Sequence, residues 1–223
     1  MRQRCLIHRA GLVDYEAAWR QQHELLAAVQ AGGQHQLLLL QHPPTFTLGR
    51  NGHDAHVLAS EEMLLARGAR LFRVDRGGDV TFHGPGQIVG YPILDLRRLW
   101  GTADIPQYVR LLERVISGTL EEYGIAAGCV PGRAGVWVGD EKIAAIGVRV
   151  SRGVTMHGFA LNVDPDLSFF ELIVPCGIAD AGVTSMARLL GAPPPLDEVA
   201  DRLARRFSDV FEVDLLAPAE AVL

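Results

Sequence analysis

The sequence predicts an α+β fold, with a mixed, largely antiparallel sheet flanked by helices. Three observations predict it. Strand-like runs come in adjacent groups joined by turn residues, as in GVWV, Gly139-Asp140 and EKIAAIGVRV. Amphipathic helices fall between those groups, and regular alternation of one strand with one helix is absent. The 223 residues are 48% hydrophobic and 21% charged, a balance that lets a chain of this length bury a full core without staples.

The elements follow in order. Asp14 can cap a helix running to about Val29, with Tyr15, Ala18, Trp19, Leu26 and Val29 on one face and Gly32-Gly33 at its end. HQLLLLQH reads as a short buried strand, stopped by Pro43-Pro44. Ser60 can cap a short helix, EEMLLARG. ARLFRVDR leads as a strand into a glycine-rich stretch, and QIVGYPILDL leaves it as another. Asp104 starts the clearest helix, with Pro106 in its first turn, Val109, Leu112, Ile116 and Tyr123 as its inner stripe, and Gly124 stopping it. The GVWV–EKIAAIGVRV hairpin comes next. Ser151-Arg152-Gly153 then makes a second turn into VTMHGFALNV. A small helix, TSMARLL, follows, and a last helix spans roughly Asp197 to Phe211 with Val199, Leu203, Phe207 and Val210 inward. There is no repeat and no linker, and Pro193–Pro195 reads as a spacer, so one domain over residues 1–223 is expected.

Composition excludes several functions. A net charge of −5 argues against generic nucleic-acid binding. Three cysteines, Cys5, Cys129 and Cys176, show no CxxC spacing, which argues against a zinc site or a disulfide framework and suits a reducing compartment. The N-terminus lacks the apolar core of a signal peptide, and the longest aliphatic run, Leu37–Leu40, is far too short to span a membrane. A cytoplasmic protein is expected.

The stretch RGGDVTFHGPGQ, Arg76 to Gln87, stands apart. Its glycines resemble a dinucleotide fingerprint, but the spacing is one residue too long and a strand follows where a helix should start. No GxxxxGK[ST] and no GxSxG occurs in the chain. A plain turn between strands needs one or two glycines, whereas here they spread over ten positions among Arg76, Asp79, Thr81 and His83. Backbone lying against a ligand would account for the glycines, and polar groups aimed at that ligand for the rest.

RGGDVTFHGPGQIVGYPILDL closely resembles the signature of the lipoyl(octanoyl) transferases, and the likeness extends to KIAAIG (Lys142–Gly147), HGFALNV (His157–Val163) and IVPCGI (Ile173–Ile178). The resemblance implies the fold of the biotin/lipoate protein ligase catalytic domain. It also implies transfer of an octanoyl group from octanoyl-acyl carrier protein to the ε-amine of a lysine on lipoyl domains, in lipoate biosynthesis. The acceptors it implies are the E2 subunits of 2-oxo acid dehydrogenases and the glycine cleavage H protein. A monomer without cofactor or metal is expected.

By the same resemblance, Cys176 carries the acyl group as a thioester and Lys142 pairs with it. Arg76, Gly77, Gly78, Asp79, Val80, Thr81, Phe82 and His83 would bind the acyl group, together with Ala145, Ile146 and Gly147 and with Gly158, Phe159 and Ala160. A lone cysteine is more often a packed thiol, but the Pro and Gly beside Cys176 hold it on a bent segment that suits a nucleophile. A free thiol has a pKa of about 8.5, so attack at neutral pH needs a neighbouring cation or base. Lys142 follows the Gly139-Asp140 turn and precedes Ile143-Ala144-Ala145-Ile146, which places it on a buried strand. His83 and His157 are competing bases, and spacing alone does not choose among the three; the resemblance favours Lys142. Burying six methylenes at about 0.8 kcal/mol each offers roughly 5 kcal/mol of chain-length selectivity as an upper value. Arg73, Arg76, Arg149 and Arg152 could form a basic rim for acidic partners, or balance nearby acids.

Three rival functions fit parts of the pattern. An ATP-dependent lipoate or biotin protein ligase would share the glycine-rich loop and the lysine but needs no nucleophilic cysteine. A cysteine hydrolase would pair Cys176 with His83 or His157, yet neither QAC[RQG]G nor CGSCW appears. In a non-catalytic acyl-binding module, Cys176 would be inert.

Overall fold

A computed structural model of the chain describes residues 2–174 and 182–218. Two sheets organise the molecule. Their strands are β1 (Gln3–Leu12), β2 (His35–Gln41), β3 (Thr45–Leu48), β4 (Arg70–Arg73), β5 (Val80–His83), β6 (Gln87–Ile93), β7 (Gly128–Val130), β8 (Arg133–Val138), β9 (Glu141–Ser151), β10 (Val154–Asn162), β11 (Gly182–Val183) and β12 (Val213–Leu216). Among the described residues the larger sheet runs β12-β1-β2-β6-β10-β9-β8-β7, with β11 beside β9, and the smaller runs β4-β3-β5. The β12–β1, β1–β2, β11–β9 and β3–β4 pairs are parallel and the others antiparallel, which makes the sheet mixed and largely antiparallel as expected.

The helices form where caps and apolar stripes coincide. α1 (Tyr15–Gln30) starts at Asp14, whose carboxylate accepts from the Glu16 and Ala17 N–H groups at 2.9 and 3.3 Å. α2 (Glu61–Ala66) is capped by Ser60, and α3 (Leu96–Trp100) by Asp95. α4 (Ile105–Glu121) is capped by Asp104 with Pro106 in its first turn. Such caps contribute about 1 kcal/mol each. α5 (Met186–Leu190) is short, and α6 (Leu196–Phe211) ends the helical set.

Alternation along the strands sends side chains to two faces. Leu37, Leu39, Phe159 and Leu161 pack under α4 and α6, against Leu112, Ile116, Phe207 and Phe211. Leu38, Leu40, Val89, Met156 and Ala160 pack under α1, against Ala18, Leu26 and Val29. The smaller sheet has its own cluster, Phe46, Phe82 and Phe169, in which Phe82 stacks on Phe169 with centroids 4.6 Å apart.

The helix stripes differ in part from expectation. Trp19, Val109, Tyr123 and Val210 are only half-buried. Tyr108, Val115 and Leu120 take the inner positions of α4, where Tyr108 meets Phe211 edge-on. In α1 the inner stripe includes Gln22, whose side-chain oxygen accepts from the main-chain N–H of His157 at 2.9 Å.

Candidate functional site

The segment Arg76–Asp79 folds as a loop pinned from three sides. Arg76 is buried. Its guanidinium donates to the Thr47 carbonyl at 2.6 Å, to the Thr47 hydroxyl at 2.8 and 3.2 Å, and to the Gly77 carbonyl at 3.0 Å. The carbonyls of Arg76, Gly78 and Asp79 accept from the N–H groups of Arg50, Asn51 and Gly49. The Gly77 N–H donates to the Val148 carbonyl of β9 at 2.8 Å. Glycine is required on both sides of this junction. A Cβ on Gly49 would come within 2.4 Å of the Gly78 carbonyl oxygen, and one on Gly147 within 2.9 Å of the Arg76 side chain. Asp79 caps the loop by accepting from Val80 N–H, and its other oxygen pairs with His56.

This loop, β5 and β6 enclose a cavity against β9 and β10. The cavity holds about 750 Å³ of empty space, the open solvent at its mouth included. Most sequence-predicted residues line it: Arg76, Gly78, Asp79, Val80, Thr81 and His83 from one side, and Lys142, Ala145, Ile146, Gly147, Gly158, Phe159 and Ala160 from the other. Gly77 and Phe82 do not. Gly77 is turned onto β9 by its bond to Val148, and the Phe82 ring belongs to the aromatic cluster on the far side of β5. Cys176 lies outside the described residues, as do Pro175, Gly177 and Ile178. On either side of that segment, Val174 N–H donates to the His56 carbonyl, and Val183 pairs with Lys142 and lines the cavity.

Lys142 is buried on β9, with its Nζ 4.8 Å from the centre of the Trp137 ring. A cation over an aromatic face is stabilised without losing its charge. Ala145 stands directly opposite Ala160 in the β9–β10 register, and Gly147 opposite Gly158. His157, with a positive φ of 59°, faces Val148, six residues along β9 from Lys142. At the rise of an extended strand that is roughly 20 Å. His157 Nε2 donates to Asp75 at 2.8 Å, and Asp75 also pairs with Arg149 at 2.6 Å. The bond from His157 holds Asp75 below the usual carboxylate range, and burial pulls His157 down despite the facing carboxylate. His83 is fully enclosed, and burial drives its pKa far below the ordinary imidazole value, helped by His42 and Arg76.

The four arginines differ in setting. Arg76 is inside, Arg73 pairs with Asp54, Arg149 pairs with Asp75, and Arg152 sits at the β9–β10 turn, the opposite end of β9 from Lys142. Cys5 and Cys129 are not in the cavity wall. Burial pushes the Cys5 thiol far above the usual range, and burial together with Glu113 pushes Cys129 up to about 11. Neither is an activated nucleophile.

Two other lining residues come from segments outside every motif: Tyr15 from α1 and Phe170 from the turn after β10. Tyr91, on β6, lines it from within the glycine-rich signature. Gln87 and Asn162 lie inside the motifs without a role that the sequence reveals. In the structure the Gln87 amide donates to Asn162 Oδ1 at 2.8 Å and to the Phe82 carbonyl at 3.2 Å, while Asn162 donates to the Thr184 carbonyl at 3.0 Å. This amide chain ties β5, β6 and β10 together beside Lys142's strand. Among the described residues, no group of three or more His, Cys, Asp or Glu side chains is placed to hold a metal ion, and no helix is long and apolar enough to cross a membrane.

Residues 14–208 match the family described as the lipoyl protein ligase A/B catalytic domain. The chain is 52% identical to an octanoyltransferase of Solibacter usitatus over 96% of both chains. It is 50% identical to an octanoyltransferase of Chloroflexus aggregans, over 93% of this chain and 95% of that one. Its fold is similar to a lipoate-protein ligase A bound with ATP, at a TM-score of 0.79 and 17% identity over 98% of this chain and 89% of that one. It is also similar to a chain from a structure of a bipartite lipoate protein ligase and its E2 lipoyl domain from Thermoplasma acidophilum, at a TM-score of 0.70 and 19% identity over 98% and 87%.

Proposed function

We propose that this chain, which belongs to the octanoyltransferase family of acyltransferases, moves an octanoyl group from octanoyl-acyl carrier protein to a lysine ε-amine through a thioester on Cys176. The family acts in lipoate biosynthesis. The acceptors would be lipoyl domains of 2-oxo acid dehydrogenase E2 subunits and the glycine cleavage H protein, and the enzyme a cytoplasmic monomer. The observation that carries the reading is that Lys142 shares one cavity with the small residues of β9 and β10 and with the glycine-rich loop.

The chemistry runs in two steps. The Cys176 thiolate attacks the carbonyl carbon of the donor thioester, and the carrier sulfur leaves and takes a proton from Lys142. The acceptor amine then attacks the Cys176 thioester, Lys142 takes the proton from that amine, and the Cys176 thiolate leaves as the amide forms. Exchange of one thioester for another is nearly neutral and thioester to amide runs downhill, so the sequence needs no ATP. A buried lysine beside a thiol lowers that thiol's pKa and can pass a proton in both directions. His157 lines the same cavity but is committed to Asp75 through Nε2, which favours Lys142 over it.

Mass spectrometry after incubation with octanoyl-carrier, without ATP, tests the reading. An octanoyl adduct on the Cys176 peptide is expected, discharged by adding a lipoyl domain. Acceptor acylation only with ATP would instead indicate the ligase chemistry, and full activity in Cys176→Ser would refute the thioester.

A further inference from the structure

Thr47, fully buried on β3, sits between Arg76 and His83. Its hydroxyl oxygen accepts from Arg76 Nη2 at 2.8 Å and from Arg76 Nε at 3.2 Å. Two donors fill both lone pairs of a hydroxyl, so its own proton must be donated onward. The acceptor within reach is His83 Nε2, at 3.4 Å. A neutral imidazole that accepts at Nε2 carries its proton on Nδ1. His83 is held neutral, because burial and the neighbouring His42 and Arg76 all oppose its protonation. Its Nδ1 is buried and has no hydrogen-bond partner among the described residues, while the side chain lines the cavity.

A buried donor without an acceptor costs free energy until a ligand satisfies it. A fatty-acyl group offers a single strong acceptor, its carbonyl oxygen, and hydrocarbon elsewhere. We propose that Thr47 is a positioning residue that holds His83 in the Nδ1–H tautomer, so that this N–H donates to the oxygen of the acyl cargo. The identity of the acceptor rests on the acyl-transfer reading above; the tautomer rests on the hydrogen bonds alone.

Nitrogen-15 NMR of histidine-labelled protein reads the tautomer directly. The wild-type His83 should show a protonated Nδ1 and a bare Nε2. Thr47→Val keeps the shape but removes the hydroxyl, and should shift His83 to the Nε2–H form or to a mixture. Thr47→Ser restores the hydroxyl and should restore the wild-type pattern. In steady-state assays kcat/KM should fall roughly tenfold in Thr47→Val and stay near wild type in Thr47→Ser. Octanoate should move the Nδ1–H resonance, and octane, which has no oxygen, should not. An Nε2–H tautomer in the wild type, or an unchanged Nδ1–H in Thr47→Val, overturns the tautomer. A resonance indifferent to octanoate overturns the contact. Should Thr47→Val fail to fold, the wild-type and Thr47→Ser spectra still decide. A Cys176 adduct alongside the wrong tautomer would sink this inference and leave the transferase reading standing.

Discussion

Lowering the pH from 7 to 5 should destabilise the protein, and the structure sets the amount. His35 Nδ1 accepts from Asp95 N–H at 3.2 Å and from Arg98 at 3.1 Å, while its Nε2 meets Gln3 Oε1 at 3.1 Å. His42 Nδ1 donates to the Val13 carbonyl at 2.7 Å, and its Nε2 accepts from the Tyr91 hydroxyl at 2.7 Å. Each ring needs one bare nitrogen, so each must be neutral in the fold. Burial pushes both down to about 4, with Arg98 adding to the effect at His35. In the unfolded chain both return to about 6.5. The folded value lies below the unfolded one, so the unfolded state binds the proton first as pH falls. Stability is therefore full above about pH 6.5 and lost on the way down to about pH 4. Each histidine contributes at most about 1.4 kcal/mol per pH unit, which comes to about 2 kcal/mol between pH 7 and pH 5, or roughly 4 kcal/mol for the pair. His83 and His157 shift in the same direction and steepen the slope. Asp75, held low by His157, adds its own loss only at more acidic pH. Set against a typical total of about 5–15 kcal/mol, the change is large. Urea denaturation at pH 7, 6 and 5 measures it. A midpoint unchanged between pH 7 and pH 5 would refute the claim that these rings are kept neutral by burial.

Other substitutions probe the cavity and its frame. Lys142→Met keeps the buried stem but removes the amine, and should cut acyl transfer by about 10²–10⁴-fold in a single-turnover assay; a loss under tenfold would rule out proton transfer by Lys142. Ala160→Leu places a larger side chain opposite Ala145, so transfer of octanoyl should fall at least about tenfold while butanoyl transfer persists. Equal losses for both chain lengths would contradict a wall role. Gly86 has φ of 87°, and a Cβ there would approach the Asp164 carbonyl oxygen within 2.1 Å. Gly86→Ala should therefore cost about 2–3 kcal/mol or more in denaturant unfolding, and a neutral result would contradict the close approach.

Parts of this fold are legible in the sequence alone. α1, α4 and α6 announce themselves through a capping carboxylate or an amphipathic stripe, both local signals. The β9–β10 hairpin is equally local, since Ser151-Arg152-Gly153 links two apolar runs. β1 was hidden because QRCLIHRAGL carries Arg4, His8 and Arg9 among its apolar residues, and its partners are β2 and the distant β12. Parallel pairs of that kind depend on contacts far apart in sequence and leave no turn signature. β3 and β5 are four residues each and lie among prolines and glycines, and they are strands through pairing with distant partners, β5 with β3 and β3 with β4 as well. The cavity walls were legible as motifs, but which way each residue turns was not: Phe82 and Thr81 are neighbours, and only one faces the cavity. Tyr15 and Tyr91 reach the same space from elements chosen for packing, and Gln22 is buried for a main-chain partner no periodicity reveals.

The small sheet supplies one side of the cavity and the large sheet the other, with the pinned loop as their seam. A guest lying there is mortar between two courses of brick. It earns its place by touching both, and in doing so it lends the smaller layer some of the firmness of the larger. Loading this enzyme is therefore also a way of stiffening it, and an empty molecule should be the looser one along β3 and β5.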